Sequence, residues 1–168
     1  MTRFFYLDAS ALVKRYTAEP GSASVTFLVD RLLPIRPPHL LASWMGFLEI
    51  AAVLNRHRND GRLSDYLFQQ ALLRLTDEMA QMRFLPLDDD LVARAFDLVL
   101  RCNLNASDAL YLRQGLDWQA AHDPQGSPLF LVAADDRLLR AAQAEGISTL
   151  NPETADPDAV ASLLERDS

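Results

Sequence analysis

Short apolar strands that alternate with helical segments are the feature that most constrains the fold of this chain. The segments FFYL at residues 4–7 and LFLV at residues 129–132 are apolar or aromatic throughout, which is typical of strands buried on both faces of a parallel sheet. Between such strands the apolar residues recur at helical spacing, and Ser64 is placed to cap one of the helices. This alternation predicts an α/β fold, a three-layer α/β/α sandwich around a central, mainly parallel sheet of four to five strands.

The predicted elements follow one another along nearly the whole chain. Strands are predicted at residues 4–8, 39–43, 82–87, 129–135 and 147–150, and helices at residues 9–19, 21–33, 44–58, 64–81, 88–103, 105–121 and 136–146. The segment HDPQGSP at residues 122–128 is predicted to be a loop, and the residues from about 153 onward a tail or a short terminal helix. No repeat, low-complexity tract or charge block divides the sequence, so we predict one domain over residues 1–168.

Composition narrows the class of protein. No apolar run reaches the roughly 18 residues that a membrane span requires, so we expect a water-soluble domain. The N-terminus enters a predicted strand at once, without the basic and apolar segments of an export signal, and we therefore expect a cytoplasmic location. The single cysteine, Cys102, cannot form a disulfide within the chain and is expected to be a buried thiol.

The distribution of charge bears on nucleic-acid binding. The formal net charge is −7, whereas proteins that bind nucleic acid without sequence preference gain most of their affinity from Lys and Arg at phosphates. The charge is uneven, however: residues 1–60 carry seven basic and five acidic side chains, and residues 61–168 carry nine and eighteen. The sequence therefore argues against a general nucleic-acid binder but leaves a basic first third.

Two acidic residues stand where predicted strands end. Asp8 closes the first strand and Asp135 closes the fourth, with Asp136 directly after it. In an open parallel sheet, ligands bind in the crevice beyond the carboxyl ends of the strands. If these two strands are neighbours, their carboxylates converge on one crevice. The alternative is that each aspartate caps the helix that follows it.

Two further acids lie in predicted helices. Glu49 is the one ionisable residue in the segment 44–54, so we expect it on or beside the buried side of its helix, where an unpaired charge is unfavourable. Alternatively, that helix is turned so that Glu49 reaches solvent or meets Arg56. Asp108 follows Asn105 by three residues, which also fits a capping box at the start of a helix.

Several carboxylates gathered in one crevice would need a counter-charge. Two like charges about 4 Å apart repel by roughly 4 kcal/mol at an effective dielectric constant near 20. Hard divalent cations prefer oxygen ligands, so Mg²⁺, or Mn²⁺ in its place, suits an all-carboxylate site. The histidines His39, His57 and His122 are scattered without metal-ligand spacing, and no cluster of Cys and His indicates zinc.

Four fragments in order carry a family likeness. They are YLDASALVKRY, FLEIAAVLNR, NASDALYL and VAADDRLLRAAQAEGI, the last followed by LNP. In these fragments the chain resembles the PIN-domain nucleases, particularly the VapC-type toxins of bacterial toxin–antitoxin modules, over nearly its whole length. The resemblance implies a PIN-like fold and a set of catalytic, metal-binding carboxylates, namely Asp8, Glu49, Asp108 and Asp135. It also implies that Ser10 supports the site by hydrogen bonding.

Two features depart from the family pattern. The family usually carries Thr or Ser two positions before the fourth acid, where this chain has Ala133, and the missing hydroxyl is expected to reduce activity. Asp136 is an extra carboxylate beside Asp135 and could share its role, although a solvent-facing charge at a helix end also explains it.

The resemblance implies a function and partners. The expected activity is that of a metal-dependent endoribonuclease, with Mg²⁺ as cofactor and water as nucleophile. Lys14, Arg15 and Arg56 are candidates for holding the RNA backbone, with ordinary surface placement as the alternative. The aromatic candidates for base stacking, which could equally belong to the core, are Trp44, Tyr16 and Trp118. A cognate antitoxin over the crevice and a homodimer are the expected protein partners.

Two other functions fit part of the pattern. One is a PIN-like module that has lost catalysis and binds RNA or protein, which Ala133 would favour. The other is a receiver-type phosphoacceptor domain, which also has an acidic, Mg²⁺-binding pocket at strand ends. A receiver needs a lysine after its last strand, whereas the single lysine of this sequence, Lys14, lies in the first predicted helix.

Overall fold

A parallel sheet of five strands forms the centre of the molecule in the part of the chain that the structure, a computed structural model, describes. That part comprises residues 3–122 and 128–165, so residues 123–127 of the predicted loop lie outside it. The strands are β1 Phe4–Leu7, β2 Leu40–Ser43, β3 Arg83–Leu85, β4 Leu129–Val132 and β5 Ser148–Leu150. Their spatial order is β3-β2-β1-β4-β5, and each neighbouring pair is parallel. The predicted parallel sheet is confirmed.

Helices lie on both faces of this sheet, which confirms the predicted three-layer α/β fold. Within the described residues they are α1 Ala9–Leu12, α2 Ser22–Leu32, α3 Trp44–Asn59, α4 Asp65–Met79, α5 Asp89–Cys102, α6 Ala106–His122, α7 Asp136–Ala144 and α8 Pro157–Glu165. The Ser64 side chain caps α4 as predicted, accepting from the Leu67 backbone N–H at 3.3 Å. None of these helices is long and apolar enough to cross a lipid bilayer.

Alternate side chains of β1 enter two hydrophobic cores, one on each face of the sheet. Phe5 and Leu7 share a core with Ile50 of α3, whereas Tyr6 shares the opposite core with Leu112 of α6. Each of these side chains is at most 1% exposed. Truncating such a side chain to alanine costs about 2–5 kcal/mol of stability. Burial on both faces explains why β1 is an uninterrupted apolar run.

The pairing of β1 with β4 positions the candidate site. Leu7 lies opposite Val132 at the carboxyl ends of the two strands, and the Asp8 backbone N–H donates to the Val132 carbonyl at 2.9 Å. On the other side of β1, β2 leads through Ser43 into α3. The strands that precede Asp8 and Asp135 are therefore neighbours, which meets the condition for their carboxylates to converge, and their carboxyl ends meet at one edge of the sheet.

The first helix differs from its prediction over residues 9–19. α1 ends at Leu12, a single 3₁₀ turn follows at Val13–Arg15, and the Thr17 hydroxyl donates back to the Val13 carbonyl at 3.0 Å. Both basic residues of this turn are buried and paired with carboxylates from distant segments. These long-range ion pairs, which helical spacing does not encode, coincide with the tighter turn.

Candidate metal centre

Asp8 lies directly after β1 and is the N-cap of α1. Its Oδ2 accepts from the Ser10 backbone N–H at 3.0 Å and also from the Ser10 hydroxyl. The residue is 5% exposed, so its charge lies inside the protein. Within the described residues its other oxygen, Oδ1, accepts no hydrogen bond and is therefore available to a ligand.

The Ser10 hydroxyl joins the ends of two neighbouring strands. It donates to Asp8 and accepts from the backbone N–H of Ala134, just past β4, at 2.9 Å. Ala133, where the family pattern has a hydroxyl, is fully buried in the core that contains Tyr6. Ser10 thus supplies a hydroxyl at this end of β4, beside the carboxylate that it was expected to support.

Asp135 is the N-cap of α7, the helix that follows the neighbouring strand β4. Its Oδ1 accepts from the backbone N–H groups of Arg137 at 2.8 Å and Leu138 at 3.0 Å. Asp8 and Asp135 are therefore both helix caps, as the alternative interpretation held. Capping does not exclude a ligand role, because each cap uses one carboxylate oxygen and leaves the second with its lone pairs.

Glu49 is half-buried on α3 and points toward α6. Its Oε2 accepts a hydrogen bond from the Tyr111 hydroxyl at 3.1 Å. The alternative partner, Arg56, forms no ion pair with it among the described residues. The structure therefore agrees with the expectation that Glu49 lies beside the buried side of its helix.

Asp108 lies in the first turn of α6 and is 8% exposed. The side chain that caps this turn belongs to Asn105, whose Oδ1 accepts from the Asp108 backbone N–H at 2.8 Å. Within the described residues the Asp108 carboxylate itself accepts no hydrogen bond. A cap therefore does not explain its burial.

One pocket of about 410 Å³ brings these side chains together. Its acidic lining residues, which come from four separate segments, are Asp8, Glu49, Asp108 and Asp135. Ser10 and Ser107 also line it, and Arg56 is the one Lys or Arg among its described lining residues. The pocket therefore concentrates negative charge that is only partly offset by nearby cations.

The protonation of this pocket reflects burial and mutual repulsion. Burial, together with the charges of Glu49 and Asp108, raises the pKa of Asp8 to about 6, and the hydrogen bonds from Ser10 oppose this increase. Burial, then Asp135 and Glu49, likewise raise the pKa of Asp108 to about 6, while Arg137 opposes the change. Repulsion from neighbouring carboxylates thus adds to burial at both Asp8 and Asp108.

The donor set suits a hard divalent cation. Four carboxylates line the pocket, and their mutual repulsion is what such an ion offsets. In the described part of the chain, no three His, Cys, Asp or Glu side chains already stand in an arrangement that holds a metal ion. Mg²⁺ retains several waters and is commonly bound through one or two carboxylates, so these residues fit the ion without direct contact from all four.

Of the predicted substrate cations, the structure brings one to the pocket. Arg56 lines it, whereas Lys14 is 3% exposed and bonded to Glu153 at 2.7 Å. Arg15 is 7% exposed and bonded to Glu78 at 2.8 Å. Burial and pairing argue against the predicted contact of Lys14 and Arg15 with an RNA backbone.

The remaining predicted residues also differ in placement. Asp136 is exposed on α7 and does not line the acidic pocket. This placement agrees with the alternative interpretation, a solvent-facing charge at a helix end. Trp118 is buried, and the Tyr16 hydroxyl donates to Glu78 at 3.0 Å. Trp44 is 57% exposed and stacks on Phe84 with ring centroids 4.0 Å apart. Of the three aromatic candidates, Trp44 is thus the most exposed.

Two features of the site were not predicted from the sequence. Tyr111, which contacts Glu49, follows Asp108 by three residues, and this spacing on one helix face was a signal that could have revealed it. A cleft of about 1140 Å³, here called the adjoining cleft, shares Ser10 and Asp135 with the acidic pocket. Its lining also includes His57 and Arg62.

Known proteins share the family and the fold of this chain. The PIN domain family model matches residues 5–144. The chain is similar to PAE2754 from Pyrobaculum aerophilum, with a TM-score of 0.60 and 19% sequence identity over 99% of this chain and 96% of that one. It is also similar to FitAcB from Neisseria gonorrhoeae, with a TM-score of 0.54 and 14% identity over 90% of this chain and 100% of that one.

A further similar structure is that of FitAB bound to the IR36 DNA fragment, with a TM-score of 0.55 and 14% identity over 91% of this chain and 98% of that one. No curated protein matches the sequence. At these low identities the structural similarities bear on the fold alone. Since the family model spans most of the chain and the solved structures share its fold, the chain belongs to the PIN domain family, whose members are generally nucleases.

Proposed function

We propose that this protein is a Mg²⁺-dependent endoribonuclease that hydrolyses RNA phosphodiester bonds at the acidic pocket, with Mn²⁺ able to replace Mg²⁺. One observation carries the proposal: carboxylates from four separate segments line a single pocket at the carboxyl edge of a parallel sheet. Ligands bind at this edge in open α/β folds. The choice of RNA as substrate rests on the resemblance to VapC-type toxins.

The proposed ligands of the ion are Asp8, Glu49, Asp108 and Asp135. When bound, such an ion lowers the pKa of a coordinated water and neutralises charge on the phosphodiester. Asp8 and Asp135 each offer the oxygen that is not used in capping. Ser10 holds Asp8 in place through its hydroxyl, so the carboxylate does not have to be ordered when the substrate arrives.

The chain also provides groups that would bind the RNA. Arg56 lines the pocket and forms no ion pair within the described residues, so its guanidinium is available to a phosphate oxygen. The adjoining cleft continues from the pocket, and its lining contains His57 and Arg62. Lys14 and Arg15 also line it, but their charges are already paired with carboxylates. We propose that a single strand crosses the pocket and extends into this cleft.

The test of the proposal compares two aspartate variants on one RNA substrate. Asp8→Asn keeps the shape of the side chain but removes a proposed ligand charge, and cleavage of a mixed RNA pool should fall by at least about 100-fold. Asp136→Asn is the matched control, because Asp136 is exposed and does not line the pocket. This variant should cleave RNA as the wild type does. Each protein is measured with Mg²⁺, with Mn²⁺ and with EDTA.

The same experiment separates the competing functions. If the wild type binds RNA but cleaves nothing with either ion, the catalytically inactive binding module is favoured. Equal cleavage by wild type and Asp8→Asn would remove the acidic pocket from the reaction. Because FitAB was solved with DNA, a DNA oligonucleotide of matching sequence serves as the competing substrate. A receiver role is disfavoured because the single lysine is bonded to Glu153 and Glu19.

A cognate antitoxin is the proposed protein partner. An acidic pocket of this kind would accept an Arg or Lys from an extended inhibitory segment, which would exclude both metal and RNA. The test is to add the product of a small adjacent reading frame at equal concentration and measure RNA cleavage. The proposal is supported if the added protein stops cleavage and a substitution of its Arg or Lys restores cleavage. Undiminished cleavage in the presence of the added protein opposes it.

A homodimer is also proposed, and an apolar stripe on α5 supports it. Val92, Phe96 and Leu100 recur every fourth residue on this helix, and each is at least 52% exposed. Phe96→Glu should convert a dimer to a monomer in light scattering. A monomeric wild type would overturn the homodimer, whereas a variant that remains fully dimeric would show that α5 is not its interface.

A further inference from the structure

Tyr111 reaches the acidic pocket from the core. Its hydroxyl donates to Glu49 Oε2 at 3.1 Å, while the residue itself is 1% exposed. The ring packs against Tyr6, with centroids 5.7 Å apart, and against the core on the face of the sheet that holds α6. The hydroxyl is therefore held in position by a ring that has no freedom to leave the core.

The contact joins the two helices that carry proposed ligands. Tyr111 follows Asp108 by three residues on α6, and residues three apart lie on one helix face. Glu49 belongs to α3, so a single hydrogen bond connects α3 to the turn of α6 that bears Asp108. The bond is therefore a direct link between the helices that bear the two carboxylates.

Gly46 makes room for the phenol. A Cβ added at Gly46 would lie 2.5 Å from the Tyr111 hydroxyl oxygen, well inside contact distance. Gly46 precedes Glu49 by three residues, so it lies on the same face of α3, one turn earlier. The absence of a side chain at Gly46 therefore leaves the space in which the Tyr111 hydroxyl contacts Glu49.

We propose that Tyr111 is a positioning residue of the metal centre, which orients Glu49 for ion binding from a slot that Gly46 keeps open. This inference rests on the proposed function, because it assumes that Glu49 is a ligand. Groups that hydrogen-bond a ligand carboxylate fix its orientation, and their removal commonly weakens metal affinity by about 10- to 100-fold.

The alternative is that Tyr111 only fills the core. Tyr111→Phe separates the two roles, since it keeps the ring and removes the hydroxyl. Tyr6→Phe is the matched control: it also loses a buried phenol hydroxyl, but that hydroxyl donates to Gln114 at 2.6 Å and not to a carboxylate. Melting temperatures and circular dichroism establish that both variants fold.

Binding of Mn²⁺ alone, measured by calorimetry and by the electron paramagnetic resonance signal of free Mn²⁺, is the main readout. Tyr111→Phe should bind Mn²⁺ about 10- to 100-fold more weakly than wild type, while Tyr6→Phe binds it equally well. Gly46→Ala should weaken binding in the same direction, because it displaces the hydroxyl. In a Glu49→Gln background Tyr111→Phe should cause no further loss, which shows that it acts through Glu49.

The outcomes distinguish this inference from the proposed function. If Asp8→Asn and Glu49→Gln weaken Mn²⁺ binding but Tyr111→Phe does not, the positioning role is overturned and the metal centre stands. If Tyr111→Phe loses as much affinity in the Glu49→Gln background as in wild type, the positioning role is likewise overturned. If neither ligand variant changes Mn²⁺ binding, the metal centre fails, and the role of Tyr111 fails with it.

Discussion

The backbone N–H of Ala134 donates to the Ser10 hydroxyl oxygen at 2.9 Å, so the segment after β4 is bonded to the turn after β1. The same hydroxyl donates to Asp8, which makes it a shared support for the ends of two strands. A hydroxyl that both donates and accepts can serve two segments, which an alanine at this position cannot do.

Ser10→Ala should therefore lower RNA cleavage by about 10- to 100-fold, because Asp8 loses a hydrogen bond that orients it. It should also lower the free energy of unfolding by about 1–3 kcal/mol, since the Ala134 N–H is left without its acceptor. Ser162→Ala is the control, because that hydroxyl donates to the Asp158 carbonyl on an exposed part of α8. Wild-type cleavage by Ser10→Ala would contradict the supporting role.

Removal of one pocket charge should stabilise the metal-free protein. Asp108→Asn eliminates a buried charge that repels Asp135 and Glu49, and its carboxylate accepts no hydrogen bond within the described residues. We expect the free energy of unfolding in EDTA near neutral pH to rise by on the order of 1 kcal/mol. Urea denaturation measures this change. A loss of stability would indicate a structural partner for Asp108 and oppose the metal centre.

Asp108→Asn is expected to be more stable than wild type in EDTA, and added Mg²⁺ should make wild type the more stable of the two. An ion that binds the folded state alone stabilises it by RT ln(1 + c/Kd), where c is the free Mg²⁺ concentration, so wild type should gain melting temperature with Mg²⁺, and Asp108→Asn, with its weaker affinity, should gain less. Asp136→Asn, outside the pocket, should respond as wild type does. Equal responses of all three proteins would show that Mg²⁺ acts elsewhere on the chain.

The metal-free protein should lose stability as pH rises through about 6. The pKa values of Asp8 and Asp108 are each raised to about 6, above the ordinary value of about 3.9 in an unfolded chain. A raised carboxyl pKa stabilises the folded state below the unfolded value, and this contribution is lost as pH rises through the folded value. Melting temperatures in EDTA should thus increase from about pH 7.5 to about pH 5, and less steeply in the Asp8→Asn/Asp108→Asn double variant.

Arg15 should prove structural. Its guanidinium bonds to Glu78 at 2.8 Å and to Asp30 at 2.5 Å, with 3% of the side chain exposed. Arg15→Ala leaves the buried Glu78 without this partner and should cost about 3–5 kcal/mol of stability by urea denaturation. Arg94→Ala, which breaks exposed ion pairs with Asp90 and Asp117, should cost clearly less. Similar losses in both variants would contradict the burial argument.

Arg56 should affect substrate binding and leave stability unchanged. Arg56→Gln removes a cation from the pocket lining, so KM for RNA should rise while kcat changes little, and the slope of log affinity against log salt should decrease by about 0.7 for one lost phosphate contact. Arg58→Gln, on the same helix but facing Asp65, is the control. An unchanged KM in Arg56→Gln would remove this residue from RNA binding.

Local patterns predicted much of the architecture. The apolar runs of β1 and β4 are readable because strands buried on both faces must be apolar throughout, and the positions of Asp8 and Asp135 follow from where those runs end. Helix caps such as Ser64 are local by nature, since the side chain bonds a backbone N–H three residues away. These features depend on neighbours in sequence, so the sequence alone predicts them.

What only the tertiary structure decided depends on partners far along the chain. Lys14 and Arg15 look like substrate cations in sequence, but each bonds to a carboxylate far along the chain, Glu153 and Glu78, which lie 139 and 63 positions away. The hydrogen bond from Tyr111 to Glu49 spans 62 positions. The sequence by itself determined which residue types end strands and begin helices, because those rules act over one or two turns. Folding decided which charges are neutralised and which face the pocket, because that follows from contacts between segments that no local spacing relates.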